Sequence, residues 1–255
     1  MLYFSFLAQT PLAGHDHSWT LQQYRSFVEK DLYRYLTTRS LALGLYVSLG
    51  CLIIGYPTAF ILARYVKGRS RETLLLLIVL PFWSNALVRI FSWTMVLRNG
   101  GFLDVVVQSV FPGSHPVGLL YSYPAIVIGL IHSFVPYMIL TSYLSLQAID
   151  ESLIDAARSL GANHWTTFYR IVLPLSVPGV LVGLILIFVP VTGSFMEARI
   201  LGGPAGIMLG TVIEDQFTEV FNWPLGAALS FILLWIVLSI LLAFQLAIRS
   251  FLHRL

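Results

Sequence analysis

The sequence predicts an all-α membrane protein, a polytopic helical bundle, and three observations carry that prediction. Of 255 residues, 57% are hydrophobic and 11% charged, with a mean hydropathy of +0.82, a balance that suits lipid better than one large soluble domain or two small ones. Five apolar runs lie near residues 40–63, 72–98, 120–145, 175–198 and 226–249. Each reaches the roughly 20 residues that a hydrocarbon layer of about 30 Å demands of a helix, because a spanning segment must satisfy its own backbone polar groups. Finally, Lys and Arg gather in alternate connecting loops, and short basic loops mark the cytoplasmic side.

The opening MLYFSFLAQT lacks the charged start and the length of a secretory signal. It looks like the tail of another span whose beginning is absent, which would make six. Residues 1–39 are therefore expected to combine a remnant of a first span with an outer segment, and residues 40–255 to form the transmembrane domain. His15-Asp16-His17 could grip a metal, but a solvated outer loop suits the triplet better. The lone Cys51 falls inside the first full run, where it reads as a small buried side chain and excludes a disulfide framework.

The loop after that run carries Arg64, Lys67, Arg69 and Arg71, which places it in the cytoplasm. Alternation puts the polar stretch at 150–174 on the same side, with Arg249 and Arg254, and turns the 99–119 and 199–225 loops outward. The outer loops hold Asp104, Glu214, Asp215 and Glu219 against a single basic residue, Arg199. Residues 11–39 resist the scheme, since they should lie outside and yet contain Arg25, Lys30, Arg34 and Arg39; longer outer segments tolerate such charge. The pI near 9.1 thus reports topology. No nucleic-acid partner is expected, because the basic residues form no stripe with interleaved aromatics.

Pro57, Pro81, Pro124, Pro136 and Pro190 fall inside the apolar runs. Each removes a backbone donor and tends to kink its helix, so the bundle is expected to move or to enclose a path. The stretch ESLIDAARSLGANHWTTFYRIVLP, residues 151–174, then reads as a cytoplasmic elbow. Leu153, Ala157 and Leu160 recur at i, i+4 and i+7 with Ile154 beside them, and Glu151, Asp155 and Arg158 fill a second face. Gly161 is placed to end this helix in the left-handed conformation, and Asn163 to cap a second one carrying Trp165, Phe168 and Ile171. Pro174 and Pro178 are expected where the next membrane helix starts. A stiff elbow suits docking.

The pattern Asp155-Ala156-Ala157, three residues, Gly161, nine residues, Ile171, one residue, Leu173-Pro174 resembles the cytoplasmic signature of permease subunits of bacterial ATP-binding-cassette importers, with Asp155 in place of the usual Glu. Leu80-Pro81-Phe82-Trp83-Ser84-Asn85 with Arg89, Gly100-Gly101-Phe102-Leu103, Leu201-Gly202-Gly203-Pro204 and Asn222-Trp223-Pro224-Leu225-Gly226-Ala227-Ala228 look like the spermidine/putrescine branch of that superfamily. The similarity runs from about Tyr24 onward. It implies a type I importer permease fold with a six-span core, the first span apparently truncated by a late start or a cut, in the bacterial inner membrane.

The resemblance also implies partners: a related but distinct companion permease, two ATP-binding-cassette ATPase subunits, membrane lipid, and a periplasmic solute-binding protein docking on the 99–119 and 199–225 loops. The elbow would sit in a groove of the ATPase through Glu151, Leu153, Asp155, Ala156, Ala157, Arg158, Leu160, Gly161, Ala162, Trp165 and Phe168. ATP and Mg belong on those ATPase subunits. A phosphate-binding loop needs Gly-x-x-x-x-Gly-Lys-Ser/Thr, and neither Lys30 nor Lys67, the only lysines, follows such glycines. The chain is thus expected to bind no cofactor and to be no enzyme. An intramembrane enzyme would need clustered catalytic groups, and His132 beside Ser133 has no intramembrane Asp with it; it reads as a helix-packing histidine. An ion channel would work without ATP.

For the cargo, ionisable residues inside spans are costly and usually functional, which singles out Arg89 and Glu197. Trp83, Asn85, Trp93 and Tyr137 are candidates to line the path with them. Aromatic faces and carboxylates suit a polyamine such as putrescine or spermidine. Branch members commonly carry an acid where this chain has Arg199, and Glu197 is expected to compensate. The alternative cargo is an amino-acid derivative, an opine-like compound or an aminophosphonate, whose anionic group an Arg would accept.

Overall fold

The computed structural model describes residues 1–8, 18–113 and 117–252, with side chains as far as 246. His15-Asp16-His17 and Arg254 lie outside the described residues. The described chain is helical: α1 (Gln22–Glu29), α2 (Asp31–Arg64), α3 (Arg69–Val79), α4 (Ala86–Leu97), α5 (Phe102–Val110), α6 (Tyr123–Gln147), α7 (Glu151–Ser159), α8 (His164–Thr167), α9 (Leu173–Thr192), α10 (Met196–Gly202), α11 (Leu209–Thr218) and α12 (Trp223–Leu252). Five helical segments are long and apolar enough to cross a membrane: Asp31–Arg64, Ala86–Val110, Tyr123–Gln147, His164–Thr192 and Trp223–Leu246.

These differ in detail from the apolar runs. The 72–98 run, expected as one span, is divided into α3, a 3-10 turn at Leu80–Trp83 and α4. Pro81 sits at the start of that turn, where its missing N–H is no loss, and Asn85 restarts the helix by accepting a 2.8 Å hydrogen bond from the Leu87 amide. Pro124 likewise occupies the first turn of α6 and kinks nothing, whereas Pro57, Pro136 and Pro190 are interior. Pro174 falls in the first turn of α9, as expected, and Pro178 lies inside it, but α9 has no free start, because α8 continues through a π-turn at Phe168–Val172 straight into it. The Leu173 amide bonds the Phe168 carbonyl across that wider turn, just before the ring of Pro174 would meet the preceding carbonyls.

The chain forms two compact units. Unit 1 comprises Met1–Leu43, Tyr121–Tyr123 and Val191–Leu255. Phe4–Phe6, read as the tail of a span, form one 3-10 turn whose Phe4 ring meets Trp223 edge to face at 6.1 Å. The Tyr24 hydroxyl donates to Ser5 Oγ at 2.8 Å and the Thr20 amide to the Phe6 carbonyl at 2.7 Å, fastening this turn near α1. Helix α2 begins at Asp31, ahead of the apolar run, and the four basic residues that resisted the charge scheme all find partners here. Arg25 pairs with Glu29, Arg34 with Asp31, Lys30 lies over the Tyr33 ring, and Arg39 donates to the Ala205 carbonyl at 2.6 Å while facing the Tyr123 ring.

Unit 2 comprises Gly44–Leu120 and Pro124–Pro190. Its helices approach closely where small residues remove side-chain bulk. A Cβ at Gly179 of α9 would overlap Ser145 Cβ and reach 2.5 Å from the Thr141 carbonyl, and one at Gly183 would come 2.5 Å from Thr141 Oγ1. Cys51 is fully buried, as its place in the run suggests, with Sγ 3.7 Å from the Ile131 carbonyl.

Candidate functional site

Unit 2 carries the elbow. Asp150 caps α7, its carboxylate accepting the Ser152 amide at 2.9 Å, and Glu151 adds negative charge to the first turn while Arg158 adds positive charge to the last, both favourable to the helix dipole. At the far end the Gly161 amide bonds the Arg158 carbonyl at 2.9 Å and the Ala162 amide bonds the Ala157 carbonyl at 3.0 Å, the paired bonds of a Schellman stop. Gly161 has φ +84, which a side chain would strain. Asn163 then caps α8, its Oδ1 accepting the Thr166 amide at 2.8 Å. The corner is thus made by three consecutive residues with bonds on both sides.

What seats the elbow is Ile154, which is buried with Val172 in a cluster containing Leu62, Tyr143, Leu146 and Ile149. Burying such a side chain is worth about 1.5–3 kcal/mol. Phe168, expected as part of the docking surface, packs inward against the cluster; its ring meets Phe60 at 5.3 Å and Tyr56 at 6.4 Å. The outward apolar residues are Leu153, Leu160 and Trp165, at 47%, 89% and 70% exposure, with Trp165 stacked on Tyr169. Ala156 is exposed and Ala157 half-buried, and Asp155 forms a 3.7 Å surface pair with Arg158, worth little by itself. Sequence reasoning places Ile154 beside the apolar face without its anchoring part, and it misses the Asp150 cap, whose signal lies in the Asp–Glu–Ser–Leu start one residue before Glu151.

The Ser152 amide, followed by the Ser152 hydroxyl, holds the Asp150 carboxyl below the usual carboxylate range. A depressed folded-state value means that the cap stabilises α7 fully above the unfolded-state value, about 3.9, and is lost as pH falls through the folded value. Hydrogen-exchange protection in α7, taken relative to the unfolded chain at each pH, should therefore hold down to about pH 4 and fall below it. Asp150→Asn, an equally good cap without a charge to lose, should flatten that dependence. An unchanged acid limb in the Asn variant would shift the effect to another carboxylate.

Among the path candidates, the break between α3 and α4 gathers several. Arg89 Nη1 donates at 3.1 Å to the Pro81 carbonyl, which also accepts the Ser84 amide and hydroxyl at the end of the 3-10 turn, and its Nε is buried without an acceptor. Tyr137 of α6 packs edge to face on Phe82 at 4.7 Å, and Trp93 meets His132 at 5.3 Å. Trp83 is 89% exposed, and Asn85 is occupied as a cap. In the first turn of α5, buried Asp104 accepts the amides of Gly100 at 2.7 Å and Val117 at 2.8 Å, a brace that its charge alone does not disclose.

Unit 1 holds the remaining candidates. Glu197 accepts the Ser194 hydroxyl at 2.6 Å. It is not what neutralises Arg199: residues two apart on a helix do not face each other. Arg199 reaches instead to α11 and beyond, pairing with Asp215, with Glu214 at 2.5 Å and with Glu219 at 3.4 Å. The Asp215 hydrogen bond, partly offset by desolvation and aided by the charges of Asp215 and Glu214, raises the guanidinium above its already high ordinary value. One cation among three carboxylates leaves the group net negative.

A family model described as the binding-protein-dependent transport system inner membrane component matches residues 55–250. The chain belongs to this family. The permease is 34% identical over 238 residues, 93% of its length and 86% of the relative's, to the spermidine/putrescine transport system permease protein PotB of Escherichia coli (strain K12). It is 35% identical over 230 residues, 90% of its length and 80% of the relative's, to the protein of the same description from Haemophilus influenzae (strain ATCC 51907 / DSM 11121 / KW20 / Rd). The fold matches, with a TM-score of 0.75 at 17% identity over 98% of this chain and 88% of the other, a chain in the crystal structure of a bacterial ABC transporter involved in the import of the acidic polysaccharide alginate. The permease is therefore an all-α inner-membrane subunit of an importer, with the fold its hydropathy predicted.

Proposed function

We propose that this permease forms half of the translocation path of an ATP-driven polyamine importer and is moved between inward-open and outward-open states through its elbow. The observation that carries the coupling is the elbow itself. A Schellman stop, a cap on each arm and the buried Ile154 hold the corner stiff, and Leu153, Leu160 and Trp165, the last stacked on Tyr169, are exposed. An ATPase groove would accept that face, with Ala157 allowing close approach and Glu151, Asp155 and Arg158 orienting it. ATP and Mg would stay on the ATPase, and this chain would catalyse nothing. A companion permease, two ATPase copies and a periplasmic solute-binding protein complete the assembly.

The cargo follows from the similarity to the two spermidine/putrescine permeases and from the charge around Arg199. An anionic cargo would want a free guanidinium, and Arg199 is already engaged by three carboxylates. A net-negative outer group instead favours a polycation. Proteoliposomes containing the whole importer and its solute-binding protein should take up labelled putrescine or spermidine in an ATP-dependent way, and either diamine or triamine should compete. Uptake that an amino-acid derivative or aminophosphonate blocks while polyamines do not would remove the polyamine reading. Ala157→Trp should leave the chain in the membrane yet reduce ATPase copurification about tenfold or more, since the close approach is lost. Undiminished copurification would remove the elbow from the coupling.

A further inference from the structure

Arg64 is the last residue of α2 and Lys67 follows in the next turn, which the Arg71 Nε bond to the Val66 carbonyl at 2.8 Å helps to order. Beside them the elbow leaves a recess of about 590 Å³, with Arg64, Lys67 and His164 among its polar walls and Tyr56, Phe60 and Phe168 among its aromatic ones. Tyr56 precedes Arg64 on α2 by about 12 Å of helix rise, so the walls run from the basic end of the helix back along its apolar length. Two carboxylates also line it. Asp155 is paired with Arg158, which leaves Glu151 against the charges of Arg64 and Lys67. Arg64 is under-used by its own chain: Nη2 makes one long bond, 3.4 Å, to the Leu146 carbonyl, and Nε is buried without an acceptor. With one long bond for the whole guanidinium, Arg64 keeps terminal N–H donors to offer, and an anion in the recess would take them.

We propose that this recess binds an anionic phospholipid of the cytoplasmic leaflet, its phosphate held by Arg64 and Lys67 and its upper acyl chain lying along Tyr56, Phe60 and Phe168. The inference rests on the cytoplasmic placement of the elbow proposed above. Free phosphate would use the basic end alone, whereas a lipid matches both the charge and the apolar depth. Of the ATPase contact proposed above, Leu153 and Leu160 lie outside the recess, whereas Trp165, Glu151, Asp155 and Arg158 also line it, so the two sites share an edge.

The test uses the whole importer, permease with companion and ATPase subunits, moved from detergent into vesicles of phosphatidylcholine containing phosphatidylglycerol, with bound lipid read by native mass spectrometry. The wild type should retain phosphatidylglycerol selectively, and the double variant Arg64→Gln, Lys67→Gln should lose roughly 10-fold to 30-fold of that retention. The charge-preserving pair Arg64→Lys, Lys67→Arg should keep most of it. A photoactivatable phosphatidylglycerol should label residues 56–67 or 164–168 of the unmodified chain, which decides the matter even if the Gln variant does not assemble. Equal retention by the Gln variant, labelling elsewhere, equal retention of phosphatidylcholine, or displacement by inorganic phosphate would each overturn the lipid site. ATPase copurification, read from the same samples, separates this result from the coupling: an intact assembly with no selective lipid leaves the coupling standing.

Discussion

Gly161→Val should abolish ATP-dependent uptake while leaving the amount of permease in the membrane nearly unchanged. The residue sits at φ +84, where a β-branched side chain costs on the order of 1–3 kcal/mol. No atom lies within 4 Å of the position a Cβ would take, so the cost is backbone strain at the corner and not a clash with the bundle. The chain can relieve it by breaking the two amide bonds that stop α7, which swings α7 away from α8 and takes Leu153 and Leu160 with it. ATPase copurification is the direct readout, expected to fall at least tenfold, and Gly161→Asn should rescue part of it because Asn tolerates the left-handed region. Full ATPase retention by the valine variant would mean that the corner's stiffness is irrelevant to docking.

Gly179→Val should do the opposite, lowering membrane levels before any question of coupling arises. Here φ is ordinary and space is the constraint. Even a methyl group would overlap Ser145 Cβ and press to 2.5 Å on the Thr141 carbonyl, a backbone atom that cannot rotate aside. Overpacking costs typically about 1–3 kcal/mol, and separating α9 from α6 also threatens the Ser145 hydroxyl bond to the Ser176 carbonyl at 3.3 Å and the Gly183 contact one turn on. The melting temperature of the purified permease should drop clearly for Gly179→Ala and further for Gly179→Val. A valine variant with wild-type melting would show that the two helices are not pressed together there.

The contrast between these two glycines also explains what was legible beforehand. Gly161 could be read from sequence because a stop signal is local: the glycine, the Asn163 cap two residues later and the apolar spacing before it all lie within one stretch. Gly179 could not, because its reason is a neighbour about 35 residues away along the chain. The same division runs through the rest. Hydropathy located the apolar segments, since lipid acts on every residue of a span alike, but it averaged across the Leu80–Trp83 break and stopped short of the polar turns of α2 that begin at Asp31. The outward direction of Leu153 and Leu160 follows from helical spacing, whereas the inward packing of Phe168 depends on Tyr56 and Phe60, more than 100 residues earlier in the chain. Arg199 stands out in the sequence by its sign, and its three partners arrive only when α10 and α11 fold together.

That π-turn at Phe168–Val172 has a mechanical corollary. Because α8 winds into α9 without a hinge, the second arm of the elbow and the membrane rod above it form one shaft. A wide turn of this kind stores one surplus residue, and letting it pass into regular winding would twist the shaft by about 100° and advance it about 1.5 Å. A tug at the knuckle can therefore be delivered as torque.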